Sequence, residues 1–185
     1  MKGNIKLILV VFAGVLSGCG SAPRTVAETA DSRKLDAWVA DRSFEIKADW
    51  ASPLMTNSLN QIANAGLLPQ GSGAGRINLI GNTNYVRVMG DSISVYLPYY
   101  GERQMGGGYN NMDAGIQLNG IPLEYEVLKD EVSLRHKIHF SMKQKSETID
   151  VHVILFPNLT SSVNVNSSHR NPIRYDGDVS ALSMK

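Results

Sequence analysis

One cysteine in 185 residues leaves the chain without an internal disulfide or a cysteine-rich zinc site. An excess of charge of either sign is also missing. Eighteen basic side chains against 17 acidic ones give a formal net charge of +1, so nothing steers the chain toward a phosphate backbone and no nucleic-acid partner is expected. No apolar run approaches the ~20 residues that a membrane-spanning helix needs. Aromatic residues make up only 7%, yet 43% of the chain is hydrophobic, which excludes a disordered chain and supports one globular domain.

What is present begins at the N-terminus. Lys2 and Lys6 precede a short apolar run over residues 7–16, which reads as the hydrophobic region of a secretory signal. It ends in Leu16-Ser17-Gly18-Cys19, which resembles the bacterial lipobox, where small residues admit the signal peptidase and the cysteine sulfur takes a diacylglyceryl group. Lipidation would leave no free thiol. Three acyl chains, at roughly 0.8 kcal/mol per buried methylene, hold a protein stably on a membrane. The expected layout is a lipoprotein signal peptide over 1–18, a lipidated Cys19 and tether over 19–26, one globular domain over 27–178 and a C-terminal tail over 179–185. No acidic residue follows Cys19 as far as Pro23, so neither an inner-membrane retention signal nor an acidic export tract is read. The periplasmic face of the outer membrane is the expected location, ahead of the cell surface.

Hydropathy patterning then sets the fold. Residues 27–39 place Leu35, Trp38 and Val39 on one helical face. Residues 43–50 alternate, with Phe44, Ile46, Ala48 and Trp50 opposite Glu45, Lys47 and Asp49, a half-buried strand that Pro53 should end. Residues 54–68 admit a second short helix before a glycine-rich loop, 69–75. Strands are then expected over 85–89 and 92–99 around a Gly90-Asp91 turn, and over 115–118, 123–128, 132–142, 148–156, 161–167 and 173–175. Lys129-Asp130-Glu131 and Lys145-Ser146-Glu147 read as short charged connections. Val132, Leu134, His136, Ile138, Phe140 and Met142 share one face. Ile149, Val151, Val153 and Leu155 share another, with Ile154 and Phe156 behind them, so that strand should be central and covered on both sides at its C-terminal end. The fold class expected is β-rich α+β: an antiparallel meander of about seven to nine strands, a curved sheet or half-barrel, with one or two N-terminal helices.

Several motifs imitate chemistry. Gly90-Asp91-Ser92-Ile93 looks like the nucleophile block of GDS-type esterases, but such a serine opens a helix, whereas Ser92 opens an alternating strand. The partner block also fails, because Asp150 lies two residues before His152 rather than three. Asp91-Ser92-Ile93 also resembles an acceptor for O-glycosylation in Bacteroidota envelopes, which would place a sugar on Ser92. His136 and His139, three apart on a strand, project to opposite faces and cannot share one ion, while His152 stands alone; no metal and no cofactor is expected. Gly71, Gly73 and Gly75 imitate a phosphate loop without its strand, helix or lysine. The remaining irregular stretch, 99–111, combines Tyr99, Tyr100, Arg103, Met105 and Tyr109 with Gly106 to Gly108 and two asparagines. Tyrosine beside glycine and asparagine is the composition of adaptable binding surfaces. Two readings stand side by side: a recognition loop, or tyrosines packed beneath a glycine tip.

Taken in order, Gly90-Asp91-Ser92, the run from Tyr96 to Gly101, Gly106-Gly107-Gly108, Leu155-Phe156-Pro157-Asn158 and Ser167-Ser168-His169-Arg170 resemble a family of small Bacteroidota lipoproteins known as domain of unknown function 4251. The resemblance spans roughly residues 40–178. It implies an envelope setting and a single domain, and carries no catalytic residue or ligand. The function expected is a membrane-anchored envelope lipoprotein acting as a non-catalytic binding or interaction module, held to the membrane through lipid on Cys19, with an envelope glycan, peptide or protein as partner. The alternatives are a purely structural or stress-related envelope protein and, disfavoured, an esterase using Ser92.

Overall fold

The structure, a computed structural model, describes residues 26–105 and 115–182; Cys19 and Tyr109 lie outside them. Helix α1 (Ala30–Ala40) starts where Thr29 and Ser32 exchange side-chain-to-amide hydrogen bonds, a reciprocal cap. It is followed by β1 (Ser43–Pro53), a two-turn α2 (Asn57–Asn64) and a two-residue β2 (Ile77–Asn78). Then come β3 (Tyr85–Met89), β4 (Ser92–Leu97), β5 (Ile116–Gly120), β6 (Glu124–Asp130), β7 (Arg135–Gln144), β8 (Glu147–Leu155), β9 (Thr160–Ser167) and β10 (Ile173–Ala181). Among the described residues no helix is long and apolar enough to cross a membrane.

Every strand pairs antiparallel, in the order β5-β4-β3-β1-β10-β9-β8-β7-β6, with β2 beside β1. The sheet is curled into a half-barrel made of two meanders, β3 to β5 and β6 to β10. Strand β1 joins them, pairing with β3 on one edge and β10 on the other. The register lines up the apolar residues. One ladder runs Ala51, Tyr175, Val163, Val153, Ile138; the next runs Pro53, Ile173, Val165, Val151, Phe140. Both lie on the concave face and belong to one core, over which α1 lays Leu35 and Val39. The helix is also tied by charge, since Asp36 meets His136 Nε2 at 2.7 Å and Lys129 Nζ at 3.1 Å.

Strand β1 departs from simple alternation. The register slips between Ala48 and Trp50, a bulge at Asp49 that turns Trp50 outward under the Arg76 guanidinium and brings Ala51 and Pro53 into the buried face. The strand therefore runs on past Trp50 and ends at Pro53. Two residues accommodate the bulge. Asn84, buried, uses its side-chain amide to accept from Ala48 N–H at 2.7 Å and donate to Ala48 C=O at 2.9 Å. Gly177 passes so close that a Cβ there would lie 2.0 Å from the Lys47 carbonyl oxygen.

Other boundaries also shift. Asp130 accepts the Val132 and Ser133 amides, so 131–134 form a turn and Val132 leaves the strand. Strand β10 runs on to Ala181 and buries Val179, within the segment expected as a tail. Strand β8 is central, but its outer cover is thin: Ile154 and Phe156 are half-buried, and the Arg135 guanidinium rather than a helix lies over Phe156. The helix packs on the concave side, where the larger apolar area is. Phe140 is 1% exposed in the middle of that face. Phe140→Ala should cost about 3–5 kcal/mol in denaturant melts, whereas exposed Lys137→Ala should change stability by less than about 0.5 kcal/mol.

Candidate functional site

The two arms of the sheet approach each other where β5 faces the end of β7. Strand β6 pairs with β7 only as far as Ser141, so residues 142–144 of β7 continue beyond it. Lys143 and Gln144 line the same depression, of about 420 Å3, as Gln117 and Asn119 of β5. A second depression of about 170 Å3 lies beside it, lined by Arg103, Met105, Lys145, Glu147, His169 and Arg170. A third, of about 430 Å3, is lined by Asn82, Thr83, Tyr96, Tyr99 and Tyr100. Gln117 lines all three, which makes them one branched groove.

The depression of about 170 Å3 is lined by an ion pair out of water. Arg170, with a side chain only 3% exposed, donates Nε–H and Nη2–H to the two oxygens of Glu147 at 2.7 and 3.1 Å. The pair is two-pronged, the geometry in which guanidinium and carboxylate match best. Ser167 donates to the same carboxylate, and Arg103 approaches it at 3.4 Å. Burial pushes the Glu147 carboxyl up, but the hydrogen bonds from Arg170 and Ser167 and the charges of Arg170 and Arg103 outweigh it, leaving its pKa below the ordinary glutamate value. Arg170 also donates to the Gly115 carbonyl at 2.9 Å and lies over the Tyr99 ring. One side chain thus joins the starts of β8 and β5 and the segment after β4.

That segment is anchored as far as Met105. The Tyr99 hydroxyl lies 3.0 Å from the carbonyls of both Glu102 and Asn171, its single proton shared between them. The ring folds back over Gly101, where a Cβ would fall 2.6 Å from its oxygen. The Gln104 amide donates to His169 C=O, the Asn171 amide to Glu102 C=O, and the Gln104 side chain to Asn171 Oδ1. Tyr99 packs underneath, as the packed reading has it, while half-buried Tyr100, Arg103 and 63% exposed Met105 line the groove.

Ser92 opens β4 opposite Met89, and Asp91 beside it pairs with Arg42 at 2.9 Å. Glu147, expected in a charged turn, instead begins β8 and is buried. The hairpin loop is only Lys145-Ser146, since Gln144 and Glu147 face each other. His152, expected to stand alone, faces His139 across the β7–β8 ladder with the rings stacked 4.5 Å apart. His136 is buried against Asp36, with Nδ1 lacking a partner among the described residues. No group of three or more His, Cys, Asp or Glu that could hold a metal ion occurs among the described residues.

Residues 27–179 match the domain of unknown function DUF4251. The chain is similar in structure to a DUF4251 family protein from Bacteroides eggerthii DSM 20697, with a TM-score of 0.56 and 14% sequence identity over 83% of this chain and 89% of that one; at that identity the likeness is one of fold. No curated protein matches the sequence.

The ion pair has a pH signature. Because Glu147 is depressed in the fold, its contribution to stability is complete above its ordinary value of 4.5 and is lost as pH falls below it. Arg170→Met strands the carboxylate and should cost about 3–5 kcal/mol at neutral pH. In urea titrations the gap between variant and wild type should narrow as the pH drops below about 4.5.

Proposed function

The chain belongs to the DUF4251 family, whose function is unknown, and we propose that it is a non-catalytic binding module of the cell envelope, anchored to the outer membrane by lipid on Cys19, with the branched groove as its recognition surface. The charge along that groove is the observation that carries the reading. Arg103, Lys143, Lys145 and Arg170 line it, with Glu147 as the acidic lining residue, and Arg170 already neutralises Glu147. Four cations against one carboxylate leave a surplus of three positive charges in a protein whose whole charge is +1. A concave surface carrying an uncompensated cluster of one sign favours a partner of the other, so the ligand is an envelope glycan or peptide bearing acidic groups.

Preorganisation strengthens the case. A recognition segment free in solution loses conformational entropy on binding, at about 1–2 kcal/mol per backbone residue, whereas residues 99–105 are already bonded to 169–171. Ser94, Gln117, Asn119, Lys143 and Gln144 are also presented by strands, which hold position better than loops do. The expression of the full chain provides the test. Labelled palmitate should enter wild type and not Cys19→Ala. Purified full-length protein in detergent, presented with acidic and neutral glycans and peptides, should retain acidic members in a salt-sensitive manner. Lys143→Ala with Lys145→Ala should weaken that retention by at least ~10-fold, the equivalent of ~1.4 kcal/mol. Equal retention of neutral and acidic members would contradict the assignment.

A further inference from the structure

We infer that the groove takes an acidic glycan, a pyranose ring stacking on Tyr96 while sugar carboxylates sit at the rim formed by Arg103, Lys143 and Lys145; the inference rests on the binding reading above and names its ligand class. It starts from the convex face of β3, β4 and β5, which the core does not need. There Tyr85, Tyr96 and Gln117 form one cross-strand row and Arg87, Ser94 and Asn119 the next. The Tyr85 and Tyr96 rings stack with centroids 5.9 Å apart and planes 29° from parallel. Arg87, itself paired with Glu45, places its guanidinium 4.0 Å from the Tyr85 centroid. Tyr85 therefore contacts both a cation and a second ring, and Tyr96 is 41% exposed.

A pyranose offers a face of C–H groups that packs on an aromatic ring, together with hydroxyls that both donate and accept hydrogen bonds. Side-chain amides match those hydroxyls, since each carries a carbonyl acceptor and two N–H donors. Asn82, Gln117, Asn119 and Gln144 supply such amides along the groove. Gln117 is decisive, because it stands opposite Tyr96 in the β4–β5 register and also lines the depression that holds Arg103 and Lys145. The aromatic end and the cationic end are thus consecutive along one surface. An acidic peptide would use the cations and the open edges of β5 and the far end of β7. It would leave the Tyr85–Tyr96 stack without a role.

The test uses full-length protein in detergent with four probes: oligogalacturonate, its methyl ester, hyaluronan oligosaccharides and poly-glutamate. At least one of the two oligouronates should bind. Esterification, which keeps the sugar faces and removes the charge, should weaken oligogalacturonate binding where it occurs. Tyr96→Ala should weaken oligouronate binding by at least ~10-fold, while Tyr96→Phe, which keeps the ring, should stay near wild type. Oligouronate binding that is insensitive to Tyr96→Ala, or capture of poly-glutamate with no binding of either oligouronate, would overturn the glycan assignment and leave the binding module standing. No binding of any acidic probe would overturn both.

Discussion

A guanidinium and a carboxylate held away from water, Arg170 and Glu147, fix how the two arms of the half-barrel meet. Taking both charges out of solvent is costly, and only a close geometry with every remaining polar atom bonded offsets it. Here the two-pronged contact, the Ser167 hydroxyl and the Gly115 carbonyl supply that geometry. The partners come from the start of β8 and from the link between β9 and β10, and Arg170 reaches on to β5 and to Tyr99. A hydrophobic pair of similar volume would fill the space as well. It would not orient Gly115, Arg103 and the Tyr99 ring about one centre, which is what the groove requires.

The rest of the architecture explains why such a pair is needed there. The concave face of the sheet carries the core, and α1 with the strands themselves covers it. The closing edges, β5 and the far end of β7, do not pair with each other. What spans the seam is therefore side chains and short loops, whose position depends on specific polar contacts. A sheet built in this way has a firm centre and a polar seam, and the convex face is free to carry Tyr85, Tyr96 and the amides without disturbing the core.

Much of this was legible in the sequence. Alternation in β7 and β8 gave the buried faces through Phe140, Ile149, Val151 and Val153, because a strand's period of two survives any uncertainty about its neighbours. The β-rich class and strand number followed from the same pattern. The bulge at Asp49 did not, since it depends on Asn84 and Gly177, which approach from distant parts of the chain. Glu147 was hidden for a related reason. A glutamate beside Lys145 and Ser146 looks like turn chemistry until Arg170, across the β8–β9 hairpin, is known to face it. Likewise His139 and His152 meet only through the β7–β8 register. Composition singles out Tyr100, Arg103 and Met105 as candidates, whereas the depressions that place them near Tyr96 and Gln117 belong to the curl of the sheet.

The buried pair lies beside the hydrogen bonds that tie residues 102–105 to 169–171 with no ligand present. Amide hydrogen exchange measures this directly, at Gln104 and Asn171, whose N–H groups bond across the seam, and at Val151 and Val163 in the core. Exchange should be slow at all four in the wild type. In Arg170→Met at neutral pH, exchange should speed up at Gln104 and Asn171 well beyond the change at the core pair. Rapid exchange at Gln104 and Asn171 in the wild type, or equal acceleration at seam and core in the variant, would contradict it.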